Sequence, residues 1–181
     1  MHPMTVSNLQ SAFSGESQAH MRYLAYSAKA KRDGFPNVGR LFEAVAWAEQ
    51  IHATSHFTVL RNETGPALTV AGGGFGLGST SENLAVALEG EHFEIEEMYP
   101  VYKAAAEFQA ERTALRSLDW AGEAEKTHHA LFEQAKQSVD AGNDIEFEQV
   151  LVCERCGHTV IDSAPDTCPI CKAKKEAYHA F

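Results

Sequence analysis

A Glu-x-x-His unit lies in the middle of a stretch that is expected to form one long helix. Residues 40–64 contain neither proline nor glycine, and their apolar positions, such as Phe42 and Val45, recur at spacings of three and four. Glu49 and His52 continue this apolar seam, so both side chains are expected to point toward the core. A buried carboxylate is costly unless it is paired, protonated or bound to a cation. The rest of the chain must therefore supply partners for this pair.

Three further segments repeat this placement of acids in an apolar helical seam. Helix A is expected over residues 6–33, helix C from residue 79 and helix D over residues 110–141, while the first unit lies on helix B, expected over residues 37–62 with Asn37 as its cap. Helix D contains a second Glu-x-x-His unit. The seam acids and histidines are Glu16 on A, Glu49 and His52 on B, Glu91 and Glu94 on C, and Glu125 and His128 on D.

The connections between these helices predict a bundle. Helices A and B are separated by a short turn at Gly34 and Pro36, which makes them antiparallel neighbours. A glycine-rich segment, residues 65–79, joins B to C and can reach roughly 50 Å when extended. Its glycines do not follow a phosphate-binding pattern, so we interpret it as a crossover along the bundle. Pro100 lies inside helix C, where it predicts a kink or a local bulge.

The combined seam residues match a known kind of metal site. One glutamate from each of two helices plus Glu-x-x-His from each of the other two is the ligand set of ferritin-like dinuclear carboxylate bundles. Oxygen-rich sites completed by imidazole suit iron or manganese better than zinc. We therefore predict a mainly α protein, a ferritin-like four-helix bundle with a long B–C crossover and two metal ions at its centre.

The cysteines form a second candidate metal site near the end of the chain. They are two Cys-x-x-Cys pairs, and the first follows a short β-rich run that starts at Val150. Two such turns can bring four thiolates into a tetrahedron around one metal, which the residues alone leave open as iron or a structural zinc. We expect a bundle over residues 1–143 and a small rubredoxin-like or zinc-ribbon-like domain over residues 144–181. Its ligands are Cys153, Cys156, Cys168 and Cys171.

The charge balance argues against some partners. The chain has 15 Lys and Arg against 25 Asp and Glu, a formal net charge of -10, which disfavours binding to nucleic acid or to an anionic membrane. No apolar run approaches the roughly 20 residues that span a bilayer, and the first residues do not resemble a signal peptide. We expect a cytoplasmic protein, in which reduced cysteines favour metal ligation over disulfides.

Several motifs resemble those of rubrerythrins, and the resemblance covers nearly the whole chain. It implies that the seven seam residues named above ligate a diiron pair. It also implies that Glu94 and His52 are alternative ligands of one iron that moves between them with the redox state, that Tyr23 and Tyr99 hydrogen-bond ligand carboxylates, and that the four cysteines hold a single redox-active iron. The motifs are Gly15-Glu16-Ser17-Gln18-Ala19, Gly90-Glu91-His92-Phe93-Glu94 with Met98-Tyr99-Pro100, Glu125-Lys126-Thr127-His128 and the cysteine module.

Two functions are consistent with these features. The resemblance implies an oxidoreductase that reduces hydrogen peroxide at the diiron site, with electrons arriving from a redox protein or reductase through the cysteine-bound iron. The alternative is a ferritin-type iron-oxidising or iron-handling protein whose tail holds a structural zinc. Glu94 favours the first, because an additional carboxylate can compensate the charge of a diferric state. An electron relay also has little use in a storage protein.

The resemblance further implies a head-to-tail homodimer. The middle of a bundle about 40 Å long lies far from either end, so one chain is not expected to bring its cysteine site to its own diiron pair. We therefore predict that electrons pass from the cysteine-bound iron of one subunit to the diiron site of another.

Overall fold

Five α-helices and one small sheet make up the structure, a computed structural model that describes residues 1–181. A π-helical segment, Glu94–Met98, joins the third helix directly to the fourth, so that these pieces form one continuous member of a bundle. The predicted four-helix bundle is confirmed. The helices are α1 (Pro3–Asp33), α2 (Pro36–Val59), α3 (Thr80–Phe93), α4 (Tyr99–Phe108) and α5 (Arg112–Asp140).

The turn between α1 and α2 agrees with the sequence except for its cap. Gly34 ends α1 with a φ of 93°, in the left-handed region that glycine favours. Helix α2 begins at Pro36, so the prediction that Asn37 caps it is wrong. The cap is Asp144, whose Oδ2 accepts the N–H of Asn37 at 2.7 Å and whose Oδ1 accepts that of Val38 at 3.1 Å. A carboxylate is favourable at this positive end of a helix, and it ties the start of α2 to the segment that follows α5.

The connection between α2 and α3 is the predicted crossover. Residues 60–79 contain neither helix nor strand. They are bonded to α1, because Ser11 Oγ donates to the carbonyl oxygen of Val70 at 2.9 Å and Gln18 Nε2 donates to that of Ala71 at 3.3 Å. The segment therefore follows the bundle along one side instead of forming a short hairpin.

Pro100 accounts for the irregularity in the third member of the bundle. Proline lacks a backbone N–H, and its ring crowds the carbonyl four residues earlier, so a regular α-helix is not maintained. The chain widens into the π-helical segment immediately before α4, in whose first turn Pro100 lies. This is the predicted local bulge. Such π-turns are frequent at functional sites, and this one begins at Glu94.

Apolar side chains pack into two clusters within the bundle. The larger cluster includes Tyr23 and Phe132, and the smaller one includes Leu9 and Leu118. On α1, Leu9 belongs to the smaller cluster and Tyr23 to the larger one, with Glu16 between them along the helix. Full burial of each of these apolar side chains contributes roughly 1.5–3 kcal/mol. The polar seam residues thus lie between two stable apolar layers.

The C-terminal residues form an antiparallel sheet that is docked on the bundle. Its order is β2-β1-β3, and Leu151 pairs with Val160. Val150 and Val152 belong to the larger apolar cluster of the bundle, so the two parts share one core. No helix has both the length and the apolar character that crossing a membrane requires. The strands are β1 (Val150–Cys153), β2 (Thr159–Ile161) and β3 (Tyr178–Ala180).

Candidate metal centres

The seam residues of the four helices converge in the middle of the bundle. They form two groups, and in each group four ligand atoms lie within 4.8 Å of one another. Every residue of both groups is buried. Each group could hold one metal ion. The first group is Glu16, Glu49, His52 and Glu125, and the second is Glu49, Glu91, Glu125 and His128.

Glu49 and Glu125 belong to both groups, which places them between two metal positions. Each position is completed by one histidine and by one glutamate that is not shared. His52 Nδ1 lies 3.1 Å from Glu49 Oε2 and 2.8 Å from Glu125 Oε1. His128 Nδ1 lies 2.6 Å from Glu125 Oε2 and 3.4 Å from Glu49 Oε1. The two Glu-x-x-His units are therefore equivalent, and both rings present Nδ1 to the site.

One oxygen of each of four buried glutamates lacks a hydrogen bond of suitable geometry, although one of these atoms, Glu125 Oε1, lies 2.8 Å from His52 Nδ1. An unpaired buried acceptor costs about 1–3 kcal/mol, and a cation placed among such oxygens removes this cost. Carboxylate oxygens with imidazole nitrogens suit iron or manganese. The residues present therefore fit a dinuclear iron site. The unpartnered atoms are Glu16 Oε2, Glu49 Oε1, Glu91 Oε2 and Glu125 Oε1.

Burial and neighbouring charges raise the pKa values of some of these groups and lower those of others. Burial raises the pKa of the Glu16 and Glu91 carboxyls well above the usual value, and the two shared glutamates raise it further. Burial also acts to raise the pKa of Glu125, but the imidazoles of His52 and His128 outweigh it and lower that pKa. Burial acts to lower the pKa of both histidines, but the Glu125 carboxylate outweighs it and raises them. Without a cation, the cluster must hold protons to limit its buried charge.

Two tyrosines hold the unshared glutamates. Tyr23 Oη donates to Glu91 Oε1 at 2.7 Å, and Tyr99 Oη donates to Glu16 Oε1. Both tyrosines are fully buried. Each hydroxyl occupies one oxygen of its carboxylate, and the other oxygen of that carboxylate is the unpartnered one. The tyrosines thus leave one oxygen of each glutamate free for a metal ion.

Glu94 lies outside both groups of ligand atoms. It is half-buried at the first position of the π-helical segment. Burial raises its pKa, and the charges of Glu16 and Glu125 raise it further, which indicates that Glu94 lies near the site. The structure therefore has His52 and not Glu94 among the converged ligand atoms.

The four cysteines converge in the small domain. Cys153 Sγ lies 3.6 Å from Cys171 Sγ, and Cys156 Sγ lies 3.6 Å from Cys168 Sγ. None of them forms a disulfide. A tetrahedron with metal–sulfur bonds of about 2.3 Å has sulfur–sulfur edges of about 3.8 Å, close to these distances. A hydrogen bond from Cys156 lowers the pKa of Cys153 to about 5, so a thiolate is readily formed there.

The cysteine site contacts the bundle site through two histidine rings. His52 Nε2 lies 3.1 Å from the carbonyl oxygen of Cys156, and His128 Nε2 lies 3.1 Å from that of Gly157. Carbonyl oxygens can only accept, so Nε2 of each ring carries a proton and donates to them, which leaves Nδ1 to a metal ion when one is bound. His128 Nε2 also lies 3.1 Å from Thr159 Oγ1. Each ring therefore joins a candidate ligand position to the backbone around the cysteines.

This contact is made within one chain. The expectation that a chain cannot bring its cysteine site to its own carboxylate site is therefore wrong. The segment after α5 folds back because Asp144 caps α2, and Val150 and Val152 pack into the bundle core. The small domain consequently lies beside the middle of the bundle instead of beyond its end.

Two residues at the site were not identified from the sequence. Gly157 was visible only as the end of a Cys-x-x-Cys-Gly turn, which gives no sign that it approaches His52. His56 has no place in the motifs quoted above, but its Nε2 lies 3.1 Å from Tyr99 Oη. The available signal for His56 was its seam position one turn after His52.

Sequence comparisons identify similar proteins. The family model described as rubrerythrin matches residues 7–136, and the one described as the rubredoxin-like domain of rubrerythrin matches residues 152–179. Rubrerythrin-2 of Clostridium acetobutylicum is 44% identical over 178 residues, which cover 98% of this chain and 97% of that protein. Nigerythrin of Nitratidesulfovibrio vulgaris is 31% identical over 180 residues, which cover 98% of this chain and 86% of that protein.

Solved structures show the same architecture. The fully reduced, all-ferrous state of nigerythrin is similar with a TM-score of 0.87 and 28% sequence identity, over 98% of this chain and 86% of that one. A partially reduced state of nigerythrin also gives a TM-score of 0.87. The similarity extends over the bundle and the cysteine domain together, so the predicted ferritin-like fold with a rubredoxin-like domain is confirmed.

Proposed function

The chain belongs to the rubrerythrin family, and on that premise we propose that it is a peroxidase that reduces hydrogen peroxide to water. The reaction consumes two electrons and two protons for each peroxide. Its cofactors are a diiron pair in the bundle and one iron at the four cysteines. The observation that carries the proposal is the contact of 3.1 Å between His52 Nε2 and the carbonyl oxygen of Cys156, because it joins an electron-carrying site to a substrate-reducing one.

We assign the metal-ligand roles to the residues that converge. Glu49 and Glu125 would be shared by the two irons, and one histidine and one unshared glutamate would complete the ligands of each. The cysteines hold the third iron. The proposed ligands are Glu16, Glu49, His52, Glu91, Glu125 and His128 for the diiron pair, with Glu94 in one redox state, and Cys153, Cys156, Cys168 and Cys171 for the single iron.

The side chains around the diiron pair prepare it for this reaction. When bound, the iron pair supplies the two electrons that cleave the O–O bond of peroxide. The Nε2–H groups of His52 and His128 donate to backbone carbonyls, which fixes the tautomer and aims Nδ1 at the site. Tyr23 and Tyr99 hold the unshared glutamates in place. The apolar clusters on either side of the site exclude bulk water.

The contact between Cys156 and His52 would let electrons pass, within one chain, from an iron held by the cysteines to an iron pair held in the bundle. The route runs from Cys156 through its carbonyl oxygen to the Nε2–H of His52. Both side chains are almost fully buried, so solvent does not intervene. An electron-donating redox protein or reductase would supply electrons to an iron held by the cysteines.

Glu94 is proposed to replace His52 as a ligand when the irons are oxidised. Its carboxylate adds a negative charge that compensates the higher charge of the diferric pair. The π-helical segment that begins at Glu94 supports this role, because such turns are frequent at functional sites.

The chain is divided into two domains in this proposal. We propose a bundle domain of residues 1–143 and a rubredoxin-like domain of residues 144–181. The match to the first family model ends at residue 136, and the match to the second begins at residue 152.

The four cysteines are free thiols suited to metal binding, which requires a reducing environment. This supports a cytoplasmic location.

The decisive experiment mixes the fully reduced, iron-loaded protein with peroxide under anaerobic conditions. We expect peroxide to oxidise the diiron pair faster than the same concentration of dioxygen, as followed by visible absorption. Glu94→Gln should slow repeated turnover while leaving the binding of two ferrous ions intact. Glu97→Gln is the matched control, because Glu97 is an exposed carboxylate on the same π-helical segment.

Replacing the iron at the cysteines with zinc distinguishes the proposed peroxidase from a ferritin-type iron-handling protein. A peroxidase should lose turnover driven by an external reductant while keeping a single oxidation of its diiron pair. An iron-handling protein should be indifferent to the replacement. Equal peroxide turnover with zinc and with iron at the cysteines contradicts the proposed relay.

A further inference from the structure

A chain of hydrogen bonds leads from the carboxylate site toward the surface between α2 and α5. Tyr99 Oη, which donates to Glu16, lies 3.1 Å from His56 Nε2. His56 Nδ1 lies 2.9 Å from Ser117 Oγ, which in turn lies 2.7 Å from Ser55 Oγ. The five side chains come from α1, α2, α4 and α5, so the tertiary structure and not one helix creates the series.

Every hydrogen bond of this series can be oriented with its proton directed toward Glu16. Tyr99 donates to Glu16, so its oxygen accepts from His56 Nε2–H. His56 Nδ1 then accepts from Ser117, and Ser117 accepts from Ser55. Burial lowers the pKa of His56 to about 3, and the charge of His52 lowers it as well. The ring is therefore neutral, with one nitrogen as a donor and the other as an acceptor.

The outer end of the series reaches solvent, and the inner part does not. Ser55 and Ser117 line a surface hollow of about 390 Å³, together with Arg116 and Arg155. Ser55 is half-buried. The relative exposure falls to 4% at Ser117 and to 0% at His56. Protons can thus enter at Ser55 and have a continuous set of polar partners as far as Glu16.

We propose that these five residues, the Ser55–Glu16 path, deliver protons from solvent to the diiron site, with His56 as the central relay. The inference rests on the proposed peroxidase function, because that reaction consumes two protons at a buried site. A satisfied core histidine would explain the burial of His56. It would not require an unbroken connection from a surface hollow to a carboxylate of the metal site.

One inward shift moves one proton and leaves no charge on the relay residues. Tyr99 passes its hydroxyl proton to Glu16 Oε1 and takes the Nε2 proton of His56. His56 Nδ1 takes the proton of Ser117, Ser117 takes that of Ser55, and Ser55 takes one from water. Glu16 holds the delivered proton until the reaction consumes it. Before a second proton can follow, the ring proton of His56 has to return from Nδ1 to Nε2 and the hydroxyl groups have to rotate.

The test measures hydrogen exchange by NMR in the full-length chain loaded with zinc, which is diamagnetic. With ¹⁵N-labelled histidine, the His56 ring should be protonated at Nε2. Ser117→Ala should slow exchange of this proton with solvent by about tenfold or more, and Ser117→Thr, which keeps a hydroxyl, should restore it. Ser27→Ala is the matched control, because Ser27 is a buried serine whose hydroxyl has no partner.

A second measurement connects the path to turnover. On mixing the reduced, iron-loaded protein with peroxide, Ser55→Ala should slow proton uptake, as read by a pH indicator. Ser55 lies at the half-buried end of the path, so this substitution should disturb the packing of the bundle very little. An unchanged exchange rate in Ser117→Ala, or a His56 ring protonated at Nδ1, overturns the proposal. Normal exchange behaviour without any consumption of peroxide instead refutes the peroxidase function, so the two failures are distinguishable.

Discussion

Gly157 leaves no room for a side chain beside His52. A Cβ atom at Gly157 would lie 2.2 Å from His52 Nε2. The φ of Gly157 is 79°, in the left-handed region where glycine has no steric penalty. The imidazole has little freedom to move away, because its Nε2 is bonded to the carbonyl oxygen of Cys156. Glycine at this position thus allows both the turn of the cysteine site and its close approach to the bundle.

Gly157→Ala should therefore separate the two metal sites. The added methyl group is expected to push the small domain away from His52 while both sites keep their metal. Electron transfer from the cysteine-bound iron to the diiron pair should slow on the order of tenfold or more, since displacements of about 1 Å can have effects of this size. Stopped-flow absorption of the cysteine-bound iron during reaction with peroxide measures the rate.

Gly142→Ala is the matched control for this change. Gly142 has a φ of 80°, but nothing lies within 4 Å of a Cβ at that position. Both replacements strain the backbone similarly, and only the one at Gly157 intrudes on His52. Equal slowing in the two variants would mean that backbone strain, and not the contact, controls the transfer.

The shared glutamates should be indispensable for the diiron pair. Glu49→Ala removes a ligand from both groups at once, so iron content is expected to fall from about three to about one per chain. The far-ultraviolet circular dichroism should remain helical, because the apolar clusters are unchanged. Glu125→Ala should behave in the same way, and Glu97→Ala should keep all the iron. Retention of the bundle iron in both ligand variants would refute the assignment.

The carboxylate site was predictable because helical periodicity alone fixes which side chains share a face. Glu49 and His52 follow apolar residues at spacings of three and four, and this places them in the core before any tertiary contact is known. The same reasoning located Glu16 on α1. Buried carboxylates on two long helices need partners, and the other helix supplies them only when the two helices pack together. The convergence of the glutamates and histidines was therefore predictable from local patterns.

The docking of the cysteine domain was not predictable by the same reasoning. It depends on contacts between residues more than a hundred positions apart, such as Asp144 with Asn37 and Cys156 with His52. No local spacing encodes such a contact. The missed cap of α2 has the same cause, because an acid from a distant segment replaced the nearby asparagine.

Ionisation of Glu16 should make the metal-free protein less stable as the pH rises. Burial and neighbouring carboxylates raise its pKa well above the usual value of a glutamate carboxyl. Such a group contributes stability that is present below the unfolded pKa and is lost as the pH rises through the folded pKa. Glutamine imitates the protonated form and does not ionise. The advantage of Glu16→Gln over the wild type should therefore grow as the pH increases above about 4.5.

Thermal unfolding of the metal-free proteins across this pH range measures the effect. Each kcal/mol of difference corresponds to about 2–4 °C in Tm for a chain of this size. Glu97→Gln serves as the control at an exposed carboxylate. A difference in Tm between Glu16→Gln and the wild type that does not change with pH would contradict the raised pKa. Iron should reverse the order, since Glu16 is a proposed ligand.

The contact between the two sites within one chain leads to an expectation for mixed subunits. A Cys168→Ala variant lacks the electron-carrying iron, and a Glu125→Ala variant lacks the diiron pair. Because Cys156 contacts His52 of its own chain, neither variant should supply what the other lacks. A mixture whose subunits exchange, as verified by mass tags, should therefore remain without reductant-driven peroxide reduction. Mixing each variant with the wild type controls for simple dilution. Recovery of activity in the doubly variant mixture would mean that the small domain is exchanged between subunits of a head-to-tail dimer, with the contact of His52 and Cys156 made across the interface.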